Sequence, residues 1–179
     1  MHILLGLLGI LVAIGVWVWR IQMAKRGLDV AVDVAKTVAN APRRLAFRYK
    51  MGKGGLDLIE DPREAAAIML VLLAEARGAE LTDRQGDVIE AEMREHFKVT
   101  AAEAEELTAH AVWAARSCPP ASEAMRILSR KIVDSPQLGP KEIVDLDAML
   151  VAVSEADDLP NRKQLALLQV YRDLAGLKT

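Results

Sequence analysis

Reactive sulfur and aromatic side chains are nearly missing from this chain. A single cysteine, Cys118, excludes an internal disulfide and gives no sign of an oxidising compartment. It precedes Pro119 and Pro120 in what reads as a loop, with no base beside it to make a thiolate, so it is read as an incidental thiol. Phe, Trp and Tyr together reach only 4%. Strands favour aromatic and β-branched residues, whereas Ala, Leu, Glu, Arg and Met dominate here, and that balance argues for helices. The 3 histidines, His2, His96 and His110, are scattered. No His-x-x-His, Cys-x-x-Cys, nucleophile elbow or phosphate loop occurs, and Gly52-Lys53-Gly54-Gly55 lacks P-loop spacing. The chain is therefore read as no enzyme. The weaker contrary reading is a catalytic set of Glu103, Glu106 and His110, although Glu106 and His110 are spaced as an ordinary helix-surface pair.

What is present is sharply segregated. Residues 1–19 carry no charged side chain, and Ile3 to Trp19 is an unbroken apolar or glycine run. Residues 20–53 hold nine bases against two acids, a net +7, and the remainder of the chain comes to −9. A spanning helix takes about 20 apolar residues, with a range near 17–25. The run is long enough if Arg20 snorkels, and Trp17 and Trp19 stand where interfacial aromatics belong. A cleaved signal peptide fits less well, because only Met1 and His2 precede the run and no small-x-small site follows it. Residues 1–20 are therefore expected to be an uncleaved single-pass anchor in a bacterial inner membrane. Since the bases lie after the run, the N-terminus is expected outside and the rest in the cytoplasm.

Residues 21–59 read as a basic amphipathic juxtamembrane segment ending in a hinge. Val30, Val34 and Val38 repeat every four residues beside Ala31 and Ala35, a helical stripe that Pro42 stops. Bases interleaved with Leu45, Phe47 and Tyr49 suit either nucleic acid or an anionic lipid surface. Proximity to the anchor favours lipid and argues against nucleic acid. The expected lipid contacts are Arg20, Lys25, Arg26, Arg43, Arg44, Arg48, Lys50 and Lys53. Gly52, Gly54 and Gly55 then supply flexibility.

From residue 60 to 179 the pattern predicts a compact all-α bundle of about six amphipathic helices. Asp61-Pro62-Arg63-Glu64 offers an N-cap acid followed by proline at the first helical position, and Gly78 closes that element. Thr82 with Gln85 and Thr100 with Glu103 are two further capping boxes. Pro119-Pro120, Asp134-Ser135-Pro136, Gly139-Pro140 and Gly176 punctuate the rest, with a last helix expected from around Leu159-Pro160. The segment Glu80 to Arg84 returns at an offset of 78 as Asp158 to Arg162, which suggests two helical hairpins packed with pseudo-twofold symmetry.

The Asp61-Pro-Arg-Glu-Ala-Ala opening, the helix–acidic turn–helix unit after Leu73-Ala74 and its return at Val153-Ser-Glu-Ala-Asp157-Asp158 carry a resemblance. Over roughly residues 60–177 the chain resembles the tellurite-resistance TerB-like family. That resemblance implies a two-hairpin helical bundle, a non-enzymatic role in membrane-associated stress response and a metal-ion role for acids in the turns. The first turn departs from the family pattern, with Arg77 where an acid belongs, and the second lacks the family's glycine.

No cofactor is firmly implied, but a divalent cation is the alternative function. Hard cations need several convergent oxygens. Glu155, Asp157 and Asp158 crowd three carboxylates into four residues, with Glu80 and Asp83 near them if the hairpins pack symmetrically. The preferred account of these acids is service to the N-terminus of the following helix. The function expected from the whole sequence is a membrane-anchored helical module that binds an unidentified protein in tellurite, envelope or metal-stress response.

Overall fold

The computed structural model describes residues 55–78 and 80–177. The expected anchor, its Trp17 and Trp19, the juxtamembrane helix and all eight expected lipid-contacting bases, Arg20 to Lys53, lie outside the described residues. Among the described residues no helix is long and apolar enough to cross a membrane.

A 3-10 turn at Gly55–Leu58 leads into six helices, and no strand occurs among the described residues. They are α1 (Pro62–Glu75), α2 (Asp83–Phe97), α3 (Ala101–Ala115), α4 (Ala121–Val133), α5 (Pro140–Ser154) and α6 (Arg162–Ala175). Their starts follow from local chemistry that satisfies otherwise orphaned N–H groups. The Asp61 carboxylate accepts from the Arg63 backbone N–H at 2.9 Å, with Pro62 opening α1. Thr82 Oγ1 accepts from Gln85 N at 3.1 Å while Gln85 Oε1 accepts from Thr82 N at 3.1 Å. Thr100 and Glu103 repeat that reciprocal box at α3. At α5 the Glu142 carboxylate reaches back to Gly139 N at 2.9 Å.

Two details differ from the sequence reading. The last helix starts at Arg162 rather than near Leu159, because Asn161 is its cap and accepts from both Lys163 N and Gln164 N. The structural counterpart of Thr82 is thus Asn161, one residue beyond the partner that the offset of 78 assigns. The other difference is α1, which is not amphipathic. Every side chain from Ala65 to Ala74 is buried, including Leu70 and Val71 on what should be its outer side. A helix apolar all round belongs at the centre of a bundle, and α1 packs against each of the other five helices.

The remaining helices each bury one stripe on that centre: Ile89 and Met93 from α2, Ala111 and Ala114 from α3, Met125, Leu128 and Ile132 from α4. From α5 come Leu146, Met149, Leu150 and Val153, and from α6 Leu167, Leu168 and Tyr171. Each fully buried Leu, Ile or Met stabilises by roughly 1.5–3 kcal/mol. Polar ties fix the last hairpin: Tyr171 Oη donates to Ile143 O at 2.7 Å, and Arg172 grips Asp147 through two bonds of 2.7 and 2.9 Å. Burial, with Asp147 close by, holds the Tyr171 phenol well above its ordinary range, so it stays a donor throughout physiological pH.

Two measurements check this architecture. Leu70→Ala, a change the amphipathic reading would have tolerated, should cost about 2–5 kcal/mol in urea unfolding. Lys98 ends α2 in the left-handed region at φ 54°, where a Cβ is strained. Lys98→Gly should therefore raise stability by about 0.5–1 kcal/mol, and a loss would show that the strain is absent.

Candidate functional site

The two acidic connections, residues 76–82 and 155–161, come together beside the C-terminal end of α1. Arg77 Nη2 donates to the backbone carbonyls of Asp158 at 2.7 Å and Leu159 at 3.0 Å. The Thr82 hydroxyl donates to the Asp157 carboxylate, 3.1–3.2 Å from its two oxygens. Asn161 Nδ2 reaches Ala76 O at 3.4 Å, and Gln164 Nε2, wholly buried, donates to Leu73 O at 3.2 Å. A helix end leaves four carbonyls without partners. Here two of the carbonyls at the end of α1 are met by the first turn of α6 and its cap.

The expected cation ligands meet only in part. Asp157 is half-buried and bonded to Thr82, whereas Glu155, Asp158, Glu80 and Asp83 are exposed. Asp158 Oδ1 accepts from the next backbone N–H, Leu159 N, at 2.8 Å, and Glu80 stands 3.9 Å from Arg116. Among the described residues no three His, Cys, Asp or Glu side chains assemble as ligands of one ion. The oxygens that do converge are the backbone carbonyls of Asp158 and Leu159, and they are taken by the Arg77 guanidinium, itself a fixed cation.

Other singled-out residues fall elsewhere. Glu103 is committed to the Thr100 cap, and Glu106 is 8% exposed rather than on a helix surface. Burial, together with nearby Glu75, pushes the Cys118 thiol up to about 11, so it stays protonated at neutral pH and is a poor nucleophile. His96, which gave no signal in the sequence, joins α2 to α5. Its Nε2 lies 3.3 Å from Glu92 and its Nδ1 3.6 Å from Asp145, which Lys141 also engages.

Beside the junction, a groove of about 370 Å³ runs between α2 and α3. Leu81, Thr82 and Asp83 form one end; Asp87, Glu90, Glu105 and Thr108 line the remainder, and no basic side chain lines it. Burial first, then the charges of Glu105 and Asp87, hold the Glu90 carboxyl above its ordinary range, with Arg94 opposing. Spaced by four and then three residues, Asp83, Asp87 and Glu90 fall on one helical face, and Glu105 joins them only through packing.

Comparison with protein-family models, with curated proteins and with solved structures finds no match to this chain.

Gln164→Leu should leave Leu73 O and the Asn161 N–H unpartnered and cost about 1–3 kcal/mol by chemical denaturation. A neutral result would mean water replaces the amide. For Glu90 the raised folded pKa means that ionisation disfavours folding, so its contribution improves as pH falls through that pKa. Glu90→Gln should therefore stabilise by about 0.2–0.5 kcal/mol at pH 7, and the advantage should vanish at acid pH.

Proposed function

We propose that this chain is a single-pass, membrane-anchored helical interaction module of the TerB-like kind, working without catalysis in tellurite, envelope or metal-stress response. Ile3 to Trp19 anchors it in the inner membrane with the N-terminus outside, and the helical bundle faces the cytoplasm. The single observation that carries the reading is the order of charge along the chain: none over residues 1–19, +7 over 20–53, then −9. The basic stretch rests on anionic lipid, and the acidic bundle is held near a surface that repels it. Its task is to bind a protein partner there. The pairing of an α1–α2 hairpin with an α5–α6 hairpin supports the TerB-like assignment. Their connections are equal in length, and both second helices open with a reciprocal cap ending in Gln, at Gln85 and Gln164.

Protease treatment of membrane vesicles tests the topology: the bundle should be digested in inverted vesicles and protected in right-side-out ones, and the reverse result refutes the orientation. Purification in mild detergent tests the role. A stoichiometric protein partner should accompany the chain. Recovery of lipid and the chain alone, with and without stress, would refute it.

The alternative is a divalent-cation sensor in the same turns, which draws on Glu155, Asp157 and Asp158 lying in four residues and on the hydrogen bond that ties Asp157 to Thr82 of the other turn. Saturation at 100 times Kd with Ca²⁺, Mg²⁺ or Mn²⁺ would then raise stability by about 2.7 kcal/mol. An unchanged melting temperature at millimolar cation would dismiss it.

A further inference from the structure

We propose that a second copy of this chain covers the outer face of α5, in a two-fold dimer whose α5 helices cross antiparallel at Ala148. The inference goes beyond the membrane-anchored reading and does not need it, because every group it uses lies in the bundle. Among the described residues three of the four exposed large hydrophobic side chains, Val144, Leu159 and Leu165, belong to the α5–α6 hairpin. Val144 on α5 is 53% exposed and Leu165 on α6 is 52% exposed. Leu165 precedes Arg172 by seven residues, so it shares the side of α6 that Arg172 turns towards Asp147 of α5. It therefore borders α5, two turns closer to the connection. Exposed apolar side chains gathered on one face mark a place where another surface packs.

The order of residues along α5 says which surface. Lys141, Val144, Ala148, Val151 and Glu155 are spaced by three, four, three and four residues, the spacing of a seam between two helices. The middle of the seam is apolar, with Ala148 exposed and Val151 half-buried, and its ends carry opposite charge. Lys141 is 79% exposed and engages Asp145 of its own helix. Glu155 is exposed and has no hydrogen-bond or ion-pair partner among the described residues. Lys141 and Glu155 each lie seven residues from Ala148. An antiparallel crossing at Ala148 thus sets Lys141 of each copy against Glu155 of the other, and Val144 against Val151 and Leu165 of the other. The face is complementary to itself, which is the requirement of a two-fold contact. A parallel crossing would oppose Lys141 to Lys141 and Glu155 to Glu155, a repulsive arrangement. An anionic lipid surface would be repelled by Glu155 and Asp158 at the end of this face.

The test uses the full chain in mild detergent with Cys118→Ser, so that each introduced thiol is alone. Ala148→Cys should form a disulfide dimer on mild oxidation, since the crossing point brings its two copies together. Glu155→Cys should form none with itself, because its two sites lie about 21 Å apart along the seam. Mixed with the Lys141→Cys chain, it should cross-link. In sedimentation, Lys141→Glu or Glu155→Lys alone should weaken association at least about threefold, through two exposed charge pairs, and the two together should restore it. Val144→Gln with Leu165→Gln should leave a monomer of unchanged helicity. Absence of the Ala148→Cys disulfide, or self-linking of Glu155→Cys as readily as Ala148→Cys, would overturn the proposal. So would a charge swap that restores nothing. A dimer that survives Val144→Gln with Leu165→Gln is held elsewhere in the chain and also overturns it. A monomeric chain whose co-purifying protein is lost in that same variant gives the face to that protein, which refutes self-association and leaves the module reading standing.

Discussion

The bundle depends on a helix with no outward face. Because α1 is buried on every side from Ala65 to Ala74, each neighbouring helix has an apolar surface to cover, and none can leave without exposing it. The arrangement also creates a problem at the end of α1, where backbone carbonyls emerge into protein rather than water. A buried carbonyl without a donor is destabilising. Gln164 and Asn161 solve this from α6 and its cap, so the first and last helices are held together by the needs of the backbone.

That constraint places the connections. With Asn161 drawn to Ala76 and Gln164 to Leu73, residues 155–161 have to lie against residues 76–82, and Arg77 and Thr82 complete the junction. The acids there become structural acceptors or remain in solvent. Other acids, Asp87, Glu90 and Glu105, line the neighbouring groove of α2 and α3.

Much of the fold was legible because its signals are local. The caps at Asp61, Thr82 and Thr100, the prolines before α4 and α5 and the glycine after α6 act within four residues of themselves. The burial of α1 was harder to read. Its Ala65, Ile68, Met69, Leu72 and Leu73 do follow a helical period, and only Leu70 and Val71 betray that the opposite side is apolar too. The start of α6 was misplaced because a turn containing Leu159 and Pro160 imitates a helix opening, while the true cap is the following Asn161. Glu106 looked like a surface residue because helical spacing gives no information about which neighbours a face will meet.

By itself the sequence determined the helical class, the number of helices among the described residues and the chemistry that starts and stops them. It also set the charge order on which the membrane-anchored reading stands. Tertiary structure alone decided what the polar residues do. Arg77 read as an intruder in an acidic turn, yet it donates to carbonyls 81 and 82 residues away. Gln85 and Gln164 close equivalent capping boxes, yet only Gln164 reaches α1 through its side-chain amide among the described bonds. The reason is physical: periodicity and capping are interactions between near neighbours, whereas satisfying a buried carbonyl or assembling a groove requires groups that only packing brings together.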